Sequence, residues 1–306
     1  MMQINSGEII RKIREDMGLS QGEMAARLFL EQKKISRIEK GTMSIDIWQL
    51  MQMLELLGYP SEDFWLLYLE SEEYEGYRTY RLLKKQLWDN DFASARVTLT
   101  NIKQSPLAEQ PLINQFLELA SVMLDDGISD EDAIEKLYKA LRLSSPDFDE
   151  TKIAEYRLTY NEIYILISIT SLLSKIGNKE KAISVTKAII ESRENSRTSE
   201  EDRAKLFPAL MFNLSNFLGQ SGKTKEALKV CNQAIEVCRE HKKLDSVPQI
   251  LLNIASCHHI LGEQEHVYKT YLVRAYHAAY AHGENELGQR IKKYAEEDFG
   301  ITIIDI

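Results

Sequence analysis

Glycine and proline are scarce in this chain of 306 residues, which holds 14 of the first and 6 of the second. That excludes a collagen-like design or long disordered linkers. Cysteine is scarcer still, with Cys231, Cys238 and Cys257 alone. Their number is odd and their spacing fits no zinc pattern, so reduced core thiols are expected. A basic excess is missing too. The net charge of −9 excludes a coat that holds nucleic acid by overall charge. The longest apolar stretch, Ile163 to Ile176, is broken by Ser168, Thr170, Ser171, Ser174 and Lys175 and is too short to span a bilayer. The start lacks the basic and apolar segments of a secretory leader, so a cytoplasmic protein without membrane contact is expected. A Gly-rich phosphate loop, a nucleophile elbow and a metal-spaced His cluster are all lacking. His258 and His259 adjoin but point to different helix faces. No enzymatic activity, no cofactor and no metal site is expected.

What is present is helical period. Apolar residues make up 44% and charged residues 28%, enough for a sizeable core in about two domains or one elongated repeat array. Strand-like alternation is confined to Ile301–Ile304, so the fold class is all-α. All six prolines are expected at element boundaries, where proline is tolerated. Residues 1–70 read as one unit of five short helices, at about 6–17, 20–28, 31–40, 45–57 and 61–70. Gly18, Gly41 and Gly58 end helices. Ser20 and Glu23 form a capping box, and Pro60-Ser61-Glu62-Asp63 opens the fifth helix. The apolar stripes are Ile9, Ile10, Ile13 and Met17, then Met24, Ala25 and Leu28, then Ile35 and Ile38.

Residues 71–306 repeat. An apolar helix, a Gly or Asn turn and a second helix with a small residue five positions on recur at Gly177–Ala182, Gly222–Ala227 and Gly262–Val267. Weaker copies lie at Asn90–Ala95 and Ile128–Ala133. A period near 40 residues with paired helices means an α-solenoid, and the later copies resemble the tetratricopeptide repeat. Ser192–Ser199 is expected to be a link without apolar period. Residues beyond about 285, with Lys292, Lys293 and Tyr294 on a helix ended by Gly300, are expected to cap the last repeat. The apolar tail Ile301–Ile306 is expected to dock on the repeats or on a partner subunit.

The segment Gly18-Leu19-Ser20-Gln21, Met24-Ala25-Ala26-Arg27-Leu28 and Ile35-Ser36-Arg37-Ile38-Glu39-Lys40-Gly41 resembles the Xre/Cro-type helix-turn-helix. The resemblance implies that Gln21 touches backbone phosphate, and that the third helix enters the major groove. Its Gln32, Lys33, Lys34, Ser36 and Arg37, with Lys40 beyond, then become DNA contacts. Gln pairs well with adenine, and Arg or Lys with guanine. Residues 1–41 carry eight Lys/Arg against six Asp/Glu, while the remaining 265 residues have a net charge of −11. That asymmetry suits DNA binding at one end. Glu31 departs from the pattern, because Ser or Thr is usual at that helix start and a carboxylate repels phosphate.

Such a domain followed by tetratricopeptide-like repeats resembles the RRNPP family of peptide-sensing regulators, with the stretch from Ile35 to Phe64 nearest to its Rgg-like branch. The resemblance implies a homodimeric transcription regulator. It reads a pseudo-palindromic operator with residues 1–70 and binds a short signalling peptide on the concave face of residues 71–306. On first helices of the repeats, Arg157, Asn161, Tyr164, Ser168 and Ser171 follow steps of four, three, four and three and so form one stripe. Asn213 and Asn216 share a face in the next copy, and Asn253 takes the place of Asn213 in the last. Asn amides suit a peptide backbone, and Arg157 suits a carboxylate. The same asparagines equally suit bonds between neighbouring helices. Tyr77, Tyr80, Arg81, Lys84 and Trp88 are expected on a linker helix that packs in the dimer. Two alternatives stay open: a repressor controlled by a protein partner, and an adaptor that does not bind DNA.

Overall fold

The computed structural model describes residues 6–45, 47–57, 71–192 and 200–304. Among them every regular element is helical, so the fold is all-α. The chain divides into two compact units, Met1–Gln110 and Pro111–Ile306.

The first unit contains α1 (Ser6–Asp16), α2 (Gln21–Arg27), α3 (Gln32–Glu39), α4 (Ile47–Leu56), α5 (Ser71–Trp88) and α6 (Phe92–Lys103), then a 3₁₀ turn at Pro106–Glu109. Ile10, Met24, Ala25, Ile35, Ile38, Leu50, Met53 and Leu54 form its core. Ser20 Oγ accepts from the Glu23 N–H and the Glu23 carboxylate accepts from the Ser20 N–H, the reciprocal cap expected of that pair. Gly18 and Gly41 both turn the chain at φ 66°. Met17, expected on the α1 stripe, is half exposed, because α1 ends at Asp16 and Met17 already belongs to the turn. The helix expected at 61–70, its opening at Pro60, and Gly58 lie outside the described residues. Gly7 is buried where α1 crosses α3. A Cβ there would sit 1.8 Å from the Ile38 carbonyl oxygen, so only glycine permits this approach. The α5–α6 hairpin, expected to open the repeats, groups with this unit. It turns at Asn90 (φ 59°) and buries Ala95 completely. Tyr77, Tyr80, Arg81, Lys84 and Trp88 lie on α5, with the Tyr77 and Tyr80 rings 6.0 Å apart.

The second unit stacks helical hairpins: α7 (Pro111–Met123) with α8 (Asp130–Arg142), α9 (Tyr160–Lys175) with α10 (Lys179–Glu191), α11 (Glu200–Gln220) with α12 (Thr224–Glu240), and α13 (Val247–Ile260) with α14 (Glu265–Ala281). Helix α15 (Asn285–Phe299) follows. Gly177, Gly222 and Gly262 turn three of the hairpins at φ 89°, 75° and 74°. Ala133, Ala182 and Ala227 are buried where the second helix meets the first, whereas Val267 is half-buried. The first helices of successive hairpins also touch, α7 to α9, α9 to α11 and α11 to α13. Second helices make no comparable contact with one another among the described residues, so the first helices form the inner layer.

One proline breaks the boundary rule. Pro208 lies inside α11, although an interior proline costs about 3 kcal/mol through its missing N–H. Ala204, Leu206, Phe207, Leu210 and Met211 are all buried around it, and that packing holds both halves of the helix in line. Pro106, Pro111 and Pro248 stand at helix starts. Pro60 and residues 193–199 of the expected link are outside the described residues.

Gly300 ends α15 at φ 64°. Ile301 and Ile303 then bury against Ala255, Leu272, Ala275 and Tyr276 of the same chain, while Ile304 is exposed. The strand-like alternation at this tail therefore marks an extended segment docked on helices, with no strand partner among the described residues. Cys231, Cys238 and Cys257 are unbonded and buried. Burial pushes the Cys238 thiol up to about 11 and the Cys257 thiol to about 12.

Candidate functional site

Helix α3 sorts its side chains by face. Ile35 and Ile38 enter the core of the first unit, and that turns Gln32, Lys33, Arg37 and Lys40 to solvent. Lys34 and Ser36 are half-buried along the edges of this face. Glu31 starts the helix without a side-chain cap. Its carboxylate is too long to fold back in the manner of Ser or Asp.

Behind that face lies a buried ion pair that sequence reasoning missed. Arg14 of α1 grips Glu39 of α3 with both arms, Nε to Oε1 at 2.6 Å and Nη2 to Oε2 at 3.0 Å. Both side chains are almost fully buried. Gln21, expected at phosphate, donates from Nε2 to Glu39 Oε2 at 2.8 Å. An amide nitrogen carries two hydrogens, so this tether leaves Gln21 able to donate once more. The signal was present in the sequence: Arg14 and Glu39 stand four residues after the core positions Ile10 and Ile35, on the buried faces of their helices.

In the second unit the expected α9 stripe divides. Arg157 is exposed in the coil ahead of the helix, because Thr159 and Glu162 form the capping box that starts α9 at Tyr160. It is therefore no part of a helical stripe. Asn161 is buried and donates from Nδ2 to the Leu112 carbonyl of α7 at 2.8 Å. Tyr164 is buried among Phe116 and Tyr160, and burial pushes its phenol up to about 12. Ser171 is exposed and Ser168 half-buried, and each donates to a carbonyl of its own helix.

The asparagines further on are brought together as a group. Asn253 of α13 donates from Nδ2 to Ser215 Oγ and to Asn216 Oδ1 of α11, both at 2.7 Å. Ser215 in turn donates to the Phe212 carbonyl at 2.7 Å. Asn213 lies half-buried one turn before Asn216. Asn253 also borders a cleft of about 370 Å³ between α13 and α15, lined with Leu252, Ser256, Leu287, Arg290 and Tyr294. Ser215, Ser256 and the α15 residues were not anticipated. Their positions become legible only once α13 is known to touch α11 and to border a cleft with α15. His258 stacks on Tyr271 and His259 on Tyr268, at 5.3 and 5.0 Å.

Two matches to known families coincide with these two regions. Residues 10–64 match a helix-turn-helix, and residues 112–279, more than half of the chain, match the RNPP family C-terminal domain. The chain belongs to the RNPP family. Similar solved structures agree with that fold. One is Bacillus thuringiensis PlcR in complex with the peptide PapR7 and DNA, at 19% identity and TM-score 0.71, over 94% of this chain and 99% of that one. Another is ComR from S. thermophilus with DNA and its signalling peptide ComS, at 16% identity and TM-score 0.62, covering 97% and 100%. A third is the pheromone receptor Rgg2 of Streptococcus dysgalactiae, at 16% identity and TM-score 0.52, covering 96% and 99%. Identities this low speak for a shared fold. No curated protein matches the sequence. No described helix is long and apolar enough to cross a membrane.

Proposed function

We propose that this RNPP-family protein is a transcription regulator that binds double-stranded DNA through α3 and a short signalling peptide along the first helices of its repeats. The observation that carries the first half is the solvent face of α3, where Gln32, Lys33, Arg37 and Lys40 stand clear of the core-bound Ile35 and Ile38. Gln32, Lys33 and Arg37 read base edges, with Lys34 and Ser36 at the border of the groove. Lys40 and the remaining amide hydrogen of Gln21 serve phosphate. The polar surface formed by Asn213, Asn216 and Asn253 supports the second half. Ser168 and Ser171 extend it, while Asn161 and Tyr164 hold the helices that carry it. The working form is a homodimer on a pseudo-palindromic operator, acting in the cytoplasm. Peptide favours one dimer arrangement, and linkage requires that DNA and peptide change each other's affinity by the same factor.

Selection of the full chain on random double-stranded DNA tests this reading. Wild type enriches a sequence of two inverted half-sites, and affinity for it falls steeply with salt. Lys33→Ala combined with Arg37→Ala lowers that affinity at least about tenfold and relaxes the selected sequence. Absence of enrichment by wild type refutes the DNA reading and favours an adaptor. Equal binding by wild type and variant refutes the assignment of α3.

A further inference from the structure

The α11–α13 junction contains a hydrogen-bond relay whose polarity is fixed from one end. The Ser215 hydroxyl hydrogen is committed to the Phe212 carbonyl, so toward Asn253 its oxygen acts as an acceptor. The Asn253 atom facing it is therefore the amide nitrogen. The second hydrogen of that nitrogen goes to Asn216 Oδ1. Both hydrogens of Asn253 are then spent, and it keeps an acceptor, Oδ1. Asn216 has spent its acceptor and keeps a donor, Nδ2. Neither remaining group takes a partner among the described residues. The pair presents a donor on α11 and an acceptor on α13, the complement of a C=O and an N–H of one peptide backbone.

The next feature beyond Asn253 is the cleft between α13 and α15. Leu252 and Leu287 give it apolar walls, Ser256 a hydroxyl, and Arg290 and Lys293 two cations. The wall also holds one carboxylate, Glu297, which lies 3.6 Å from Lys293, whereas Arg290 has no ion-pair partner among the described residues. A backbone held at Asn216 and Asn253 thus leads into a cleft with one positive charge to spare.

We propose that this cleft takes the C-terminal carboxylate of the bound peptide, with Arg290 as its main partner and Lys293 as the second. The peptide then runs N to C from α11 toward α15. The relay itself accepts an extended chain in either direction, because N–H and C=O alternate along one edge; the cations of the cleft set the direction. The inference rests on the peptide reading given above and adds a direction and a terminus to it.

A mixture of free-acid heptapeptides, randomised at every position, supplies the probe. The full chain selects a binder, which is then titrated calorimetrically as the free acid and as the C-terminal amide. The acid binds about tenfold or more tightly than the amide, because a charge-assisted pair to a carboxylate is lost in the amide. Arg290→Gln with Lys293→Gln removes the preference; both residues are exposed and the fold survives their change. Asn216→Asp keeps the oxygen that Asn253 needs but replaces the donor, and it weakens the acid about tenfold at unchanged thermal stability.

Equal binding of acid and amide overturns the inference and leaves the peptide reading intact. So does a preference that survives the double substitution. If the double variant weakens both forms alike, the cations meet an acidic side chain instead, and the inference fails. If no heptapeptide binds, the peptide reading fails and this inference falls with it.

Discussion

Glu39 and Asn253 each tie neighbouring helices together, and they do it in opposite ways. Glu39 is sealed: its two oxygens take Arg14 and Gln21, and about 1% of its side chain meets solvent. On α3 the residues that hold the helix-turn-helix and those that face outward are thus different residues, sorted by helix face, and only Gln21 of α2 is assigned both tasks. Asn253 is half-buried, spends two donors on α11 and keeps an acceptor beside a cleft. In the repeats one side chain both holds the fold and presents its surface. A buried charge pair needs full enclosure and full satisfaction, whereas a neutral amide with four hydrogen-bonding sites can divide them between structure and ligand.

The contrast is tested most strongly at Glu39. Glu39→Ala strands the Arg14 guanidinium in the core and destabilises the first unit by about 3–5 kcal/mol, read as an early transition in denaturant unfolding with loss of DNA binding. Arg14→Met with Glu39→Leu recovers most of that stability, because apolar side chains of similar volume replace the pair without leaving a charge. If Glu39→Ala unfolds like wild type, the pair is not enclosed in solution.

Gly7→Ala comes next, at about 1–3 kcal/mol. The added carbon strikes the Ile38 carbonyl, pushes α1 off α3 and lowers the midpoint of the same transition. Asn253→Asp is smaller in stability, about 1–2 kcal/mol for two lost hydrogen bonds, but it also turns an oxygen toward Ser215 and Asn216. Peptide affinity falls with it while DNA affinity of the peptide-free chain stays unchanged. A variant that loses stability yet binds peptide as before would separate the two roles that Asn253 is assigned.

The smallest effect lies in the α2–α3 turn. Phe29 is 97% exposed and stands at φ 56°, a conformation that costs a non-glycine residue about 1–2 kcal/mol. Phe29→Gly relieves that strain and stabilises the first unit by less than about 1 kcal/mol once the entropy of glycine is deducted, read as a raised thermal midpoint. A lowered midpoint would mean that the Phe29 ring covers apolar surface in solution.

The helix-turn-helix was legible because its signals are local. The Ser20–Glu23 cap, the turns at Gly18 and Gly41 and the spacing of Ile35 and Ile38 all act within a few residues. The later hairpins were legible for the same reason, through Gly177, Gly222 and Gly262 and, after the first two, Ala182 and Ala227, whereas the α5–α6 hairpin, expected to open the repeats, groups with the first unit. Pro208 misled because proline reads as a boundary, and only the buried side chains around it explain why α11 continues. Arg157 misled because steps of four and three extend past a helix start that Thr159 sets.

The sequence by itself determined which segments are helices, where most of them turn and which side of α3 is polar, since periodicity and capping depend on neighbours in the chain. The tertiary structure alone decided what the polar residues of the repeats do. Asn161 faces a carbonyl of α7, Asn253 reaches Ser215 and Asn216 of α11, and Arg290 lines one cleft with Asn253. Each partner lies dozens of residues away. A side chain with both donors and acceptors shows which of them it has left only when the helices beside it are in place.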